Sequence, residues 1–155
     1  MSYRITGLPA EAFAHLRGLD DAALAARGVR RVIADAFPGY PCRITLEDAQ
    51  PGEPLLLLNW THLDGDTPYR GSGPIFVRER ALQSFDAVGE VPLQQRRRTL
   101  SVRAYDAAGF MRHGRVVEGE SLEAQIGDLF ADADVAFLHV HNAGRGCYAA
   151  RVDRA

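Results

Sequence analysis

Apolar and polar positions along the chain predict a run of strands with few helices between them. Thr99–Asp106 (TLSVRAYD) and Phe110–Glu118 read as two strands, and Asp106-Ala-Ala-Gly109 between them carries Asp and Gly at the first and fourth positions of a type I turn. Pro54–His62 (PLLLLNWTH) opens with a continuous apolar run, the pattern of a strand buried on both faces. Ile75–Glu79 reads as a further strand after a long polar loop, Leu63–Pro74. Val135–His141 and Cys147–Asp153 are predicted to form the last hairpin around Asn142–Gly146. Earlier in the chain, Cys42–Glu47 (CRITLE) puts Cys42, Ile44 and Leu46 on one face. The turn Phe37–Pro41 would pair that segment with a strand at Val29–Ala34.

Three segments have helical signals. Pro9–Arg17 has a proline at its start, an early Glu and apolar Phe13 and Leu16. Asp20 or Asp21 can cap a second helix through Arg27, which Gly28 would end in a left-handed conformation. Ser121 can cap a third helix with Leu122, Ile126, Leu129 and Phe130 on one stripe. Gly127 within it costs about 1 kcal/mol relative to Ala, so that helix must be held by packing. Helices, a run of strands, one helix and a final hairpin together predict an α+β domain. Its sheet is expected to be mainly antiparallel or a partly open barrel, with two N-terminal helices and one helix before the last hairpin. A length of 155 residues fits a single domain spanning 1–155.

Composition removes several function classes. All 18 basic residues are Arg, so the chain lacks the amine of a Schiff-base enzyme and the lysine of a Walker-type phosphate loop. A formal net charge of −2 gives no general attraction to nucleic acid or anionic lipid. The N-terminus lacks the pattern of a secretory signal, and apolar runs such as Leu55–Leu58 are far too short to span a bilayer. These features predict a cytoplasmic protein, in which Cys42 and Cys147 are expected as free thiols rather than a disulfide.

Candidate chemistry concentrates in FLHVHNAGRGC, residues 137–147. His139 and His141, two apart on a strand, project from one face. They are candidates for general acid or base, for zinc or iron ligands, or for simple backbone hydrogen bonding. Cys147 joins them as a third ligand if the hairpin loop is Asn142–Gly146. It turns away if the loop is Ala143–Gly146 and Cys147 pairs with Asn142. Gly144, Arg145 and Gly146 could cradle an oxyanion or simply supply the turn. The loop TPYRGSGP adds Tyr69, Arg70 and Ser72 as candidate ligand contacts. Arg96-Arg97-Arg98 reads as an anion patch or as charges guarding a sheet edge, and Asp64 and Asp66 as part of a turn.

The segments PGYPCR, PYRGSGPIFVRE, RAYDAAG, HVHNAGRGC and the terminal RVDR together resemble a family of small bacterial proteins catalogued as a domain of unknown function, from about Gly39 to the C-terminus. The resemblance implies a single-domain bacterial protein and assigns no role to any residue. The residues themselves lead to an expected pocket of His139, His141, Asn142, Arg145 and Cys147, closed by Tyr69, Arg70 and Ser72 and suited to a small anionic molecule. Two alternatives stand beside it: a non-enzymatic protein that forms a homodimer through a free sheet edge, and a metal-binding protein using His139, His141 and Cys147.

Overall fold

A computed structural model describes residues 1–155. Nine strands form two antiparallel sheets. The larger contains β1 (Tyr3–Thr6), β5 (Asp86–Val88), β6 (Thr99–Tyr105), β7 (Met111–Glu118), β8 (Phe137–Asn142) and β9 (Tyr148–Arg154), in the spatial order β5-β1-β9-β8-β6-β7. The smaller contains β2 (Arg30–Ile33), β3 (Pro54–Leu63) and β4 (Gly71–Arg78), in that order. Both sheets are open. The expected α+β class is therefore the observed one.

Strand alternation divides the side chains of each sheet between its two faces, and the two largest cores take one face of each. In the larger sheet, Ile5, Leu100, Val102, Leu138, Val140 and Val152 meet α3 (Leu122–Phe130), whose Leu122, Ile126, Leu129 and Phe130 are all buried. At about 25 cal/mol per Å² of apolar surface removed from water, this contact offsets the glycine inside α3. The smaller sheet turns Leu56, Ile75 and Val77 toward Phe13, Leu16 and Leu24 from the N-terminal segment, forming a second core that also takes in Tyr148. No helix is long and apolar enough to cross a membrane.

The Asp106–Gly109 turn forms as expected: the Gly109 N–H donates to the Asp106 carbonyl at 3.0 Å, and Gly109 has φ +82°. Asp20 caps α1 (Asp21–Ala25) by accepting the Ala23 N–H at 2.8 Å. Several expectations need correction. The first helix is a 3-10 helix, Ala10–Leu16, and Ser121 does not cap α3; its hydroxyl instead donates to the Glu118 carbonyl. The polar loop ends earlier than expected, because β4 already begins at Gly71, with Pro74 tolerated on an edge strand of the smaller sheet. A short helix, α2 (Leu93–Arg96), and the strands β1 and β5 had no recognisable pattern.

The largest correction concerns Cys42–Glu47, which is not a strand. The Cys42 N–H donates to the Glu47 carbonyl, folding the segment onto itself, and Cys42 Sγ accepts the N–H groups of Ile44 and Thr45 at 3.4 and 3.5 Å. β2 pairs with β3 instead. In the folded-back segment Arg43 is drawn inside rather than left on an outer face.

Candidate functional site

The last hairpin decides how the candidate residues are divided. The Asn142 N–H donates to the Cys147 carbonyl at 2.9 Å and the Gly146 N–H to the Asn142 carbonyl at 2.7 Å, with Gly146 at φ +77°. The loop is therefore Ala143–Gly146, and His141 pairs with Tyr148 rather than Cys147. Cys147 turns away from the histidines. The ligand set His139, His141 and Cys147 does not assemble, and no three His, Cys, Asp or Glu side chains converge as a metal site would require.

His139 and His141 are both buried, on the face of the larger sheet opposite α3. A β-bulge in β3 brings a third ring to them. Thr61 pairs with Ser72 and Leu63 with Gly71, so His62 is the extra residue. Its ring centroid lies 4.9 Å from that of His141 and 6.1 Å from that of His139, and Tyr148 stacks on it at 5.6 Å. Gly71 leaves room for this ring, since a Cβ there would stand 3.1 Å from His62 Nε2.

All three imidazoles are held neutral. Burial is the main cause, pushing His139 down to about 3 and His141 down to about 4. Neighbouring positive charge adds to this, from Arg151 and Arg103 at His139 and from Arg103 at His141. His62 is lowered by burial and by Arg103. His141 Nδ1 lies 2.9 Å from the Gly146 carbonyl, so the neutral ring carries its proton there. His141 Nε2 and His139 Nδ1 are buried without a partner. Bases this far from neutrality are poorly matched to proton transfer near pH 7.

On the other side of the hairpin lies a cleft of about 600 Å³. Asn142, Gly144, Arg145 and Cys147 form one wall, the segment from Gly39 to Pro41 with Arg43 and Phe76 another, and Arg98 and Thr99 the rest. No carboxylate lines it. A second hollow, of about 410 Å³, carries mixed charge from Glu47, Asp48, Glu90, Arg78 and Arg97.

Arg43 is the unusual member of the cleft, being only 1% exposed. Its Nε donates to the Tyr148 carbonyl at 2.7 Å, Nη1 to the Pro41 carbonyl at 2.5 Å and Nη2 to Cys147 Sγ at 3.1 Å. It forms no ion pair with a carboxylate. Burial pushes its guanidinium below the usual range, opposed chiefly by the sulfur of Cys147 and then by that of Cys42. Arg98, by contrast, is neutralised by Asp48, whose side chain is fully buried, through contacts of 2.5 and 3.0 Å. Arg145 is exposed and makes no ion pair. The Asn142 amide completes the surroundings of the thiol, with Nδ2 3.5 Å from Sγ.

The expected single pocket is thus divided in two. Asn142, Arg145 and Cys147 share the cleft, whereas His139 and His141 face the opposite way. Tyr69 packs edge-on against Tyr105 and Phe110, Arg70 pairs with Asp64, and Ser72 is exposed on β4. None of those three lines the cleft. Cys42 and Cys147 are both free thiols. Of the arginine run, Arg96 donates to the Val91 carbonyl, Arg97 lies over the Phe37 ring and Arg98 serves Asp48, so the run guards no sheet edge. Arg43 and His62 lie outside the pocket expected from the sequence, and Arg98 enters that reading only within the arginine run. For Arg43 a signal existed, because PGYPCR is one of the segments that carry the family resemblance.

Among curated proteins and among solved structures, nothing matches the chain. A family model does match, over residues 39–154, a span that holds every wall of the cleft and all three clustered histidines. The chain accordingly belongs to the family described as protein of unknown function DUF1203.

Proposed function

We propose that the protein binds a small oxyanion in the cleft between the final hairpin and the Gly39–Arg43 segment. The observation that carries this reading is the charge of Arg43. Burying an ion without a counter-charge is costly, and carbonyl and thiol partners accept three of its five N–H groups without neutralising it. Arg145 adds a second unpaired guanidinium at the mouth, and a guanidinium matches the paired oxygens of carboxylate and phosphate. The proposal gives His139 and His141 no catalytic role, since they face away and are held neutral.

The test is a thermal-shift series with inorganic phosphate, sulfate and acetate against chloride at matched ionic strength. A saturable rise in Tm with an oxyanion, reduced in Arg145→Gln, supports the reading. Identical curves for all salts in the parent protein overturn it.

A further inference from the structure

We propose that the oxyanion taken by the cleft is carried on an aromatic ring: the ligand is a flat aryl carboxylate, its ring laid against Tyr40 and Phe76 and its charged end held by Arg43 and Arg145. The inference rests on the anion-binding reading and names the class of ligand.

The cleft is too large for an inorganic ion alone. Its volume of about 600 Å³ lies in the range of about 300–1,000 Å³ that organic ligands occupy, and a phosphate would fill only a small part of it. Two aromatic rings stand in the wall that remains. Phe76 leaves β4 on the face opposite Ile75 and Val77, which are buried in the second core. Tyr40 meets it from the segment before Pro41, with ring centroids 5.4 Å apart and planes tilted by 53°. Both rings pack on the small cluster of Ala34, Ala49 and Leu55, yet they remain only half-buried, and both line the cleft. The Tyr40 hydroxyl is committed elsewhere, donating to Asp35 at 2.8 Å, so what Tyr40 has left for a ligand is its ring. The Arg43 backbone N–H donates to the Phe76 carbonyl at 3.0 Å, which fixes the aromatic pair and the segment carrying the buried guanidinium in one wall.

This arrangement favours an aromatic ring over an aliphatic one. A third ring placed against a tilted pair gains edge-to-face or offset contacts beyond the burial of its area. Arg145, exposed on the facing loop, can lie over the same ring or take its carboxylate. The two oxygens of an aryl carboxylate lie in the plane of the ring and meet the fork of a guanidinium edge-on. A saturated ring of the same size is at least as apolar and offers no π-face.

The experiment titrates the intact protein with benzoate, cyclohexanecarboxylate, acetate, phosphate and benzyl alcohol in turn, at pH 7 and constant ionic strength, following the backbone amides of Gly144 and Arg145 by NMR. Benzoate is expected to bind about fivefold more tightly than cyclohexanecarboxylate, a ratio equivalent to about 1 kcal/mol. Benzyl alcohol, which has the ring and no charge, should bind about tenfold more weakly than benzoate. Phe76→Leu should abolish the preference for benzoate over cyclohexanecarboxylate, and Tyr40→Leu should do the same where Phe76→Leu does not fold. Equal or reversed affinities for benzoate and cyclohexanecarboxylate in the parent, or a preference kept in a folded variant, overturn the proposal. If acetate and phosphate bind and benzoate gains nothing over cyclohexanecarboxylate, the aryl assignment falls while anion binding stands. If benzyl alcohol binds as tightly as benzoate, or none of the anions binds, both readings fall.

Discussion

Arg43 Nη2 and Cys147 Sγ stand 3.1 Å apart at the wall of the cleft, joining the folded-back segment after Pro41 to the last hairpin. The same guanidinium holds the carbonyls of Pro41 and Tyr148, so one side chain ties together parts of the chain far apart in sequence. Arg43→Leu removes three donors and leaves two buried carbonyls without them. It should destabilise the protein by about 2–4 kcal/mol, read from urea denaturation. Arg43→Lys should recover little of this, because an ammonium cannot span the same three acceptors. A stability loss under about 0.5 kcal/mol in Arg43→Leu would remove Arg43 as an organising residue.

Asp48 gives a prediction of opposite sign for folding and for binding. Its fully buried carboxylate neutralises Arg98, so Asp48→Asn leaves that guanidinium uncompensated. Stability should fall by about 3–5 kcal/mol, as for other broken buried pairs. The cleft becomes more positive, and phosphate should raise the Tm of Asp48→Asn more than that of the parent. A smaller phosphate shift in the variant would contradict the assignment of Arg98 to the anion cleft.

The histidine cluster predicts acid sensitivity in a defined window. Free in the unfolded chain, His139 and His141 titrate near the ordinary value of about 6.5. Folded, they do so at about 3 and about 4. Between those values the unfolded chain binds more protons, so stability is fully present above about pH 6.5 and is lost as pH falls toward 4. The charges acting on the two rings, Arg103, Arg151 and, at His141, Arg43, are positive, and Arg151 pairs with the one nearby carboxylate, Asp153. Asp132, held down to about 2 by His113, the Asp134 backbone and Arg112, loses its contribution at lower pH, below the ordinary carboxylate range. Thermal melts from pH 7 to pH 4 should show a steep fall in Tm. His139→Phe should flatten it. A Tm independent of pH over that range would mean that the three rings are not held neutral by burial.

Gly71 tests how the third histidine enters the cluster. A methyl group there meets His62 Nε2 at 3.1 Å and Cε1 at 3.2 Å, so the ring must move. Gly71→Ala should cost about 1–3 kcal/mol, and the His62 ring resonances should shift with those of His141, its nearest ring neighbour. Unchanged resonances would place the bulge elsewhere.

The sequence makes the backbone more legible than the site, and the difference has physical causes. Strand β6 and the stripe of α3 announce themselves because one face of each is buried and the period shows, and β7 follows from the Asp106–Gly109 turn that joins it to β6. The segment Cys42–Glu47 alternates equally well, yet a sulfur accepting N–H groups and a carbonyl accepting from Cys42 fold it back, and periodicity carries no sign of those bonds. That one difference moved Arg43 from an outer face to the interior. The faces of His139 and His141 follow from strand alternation, but the side taken by Cys147 depends on a loop of four residues rather than five, which composition does not fix. His62 enters through a bulge, an extra residue that shifts register and is set by the partner strand.

The central claim, that the cleft around Arg43 and Arg145 binds a small oxyanion, is tested most directly by calorimetric titration of inorganic phosphate into the parent protein and Arg145→Gln at constant ionic strength. The account predicts saturable binding near one phosphate per chain in the parent, weakened about tenfold in the variant by loss of a charge-assisted contact of roughly 1.4 kcal/mol. No saturable heat in the parent, or equal affinity in the two proteins, would contradict it.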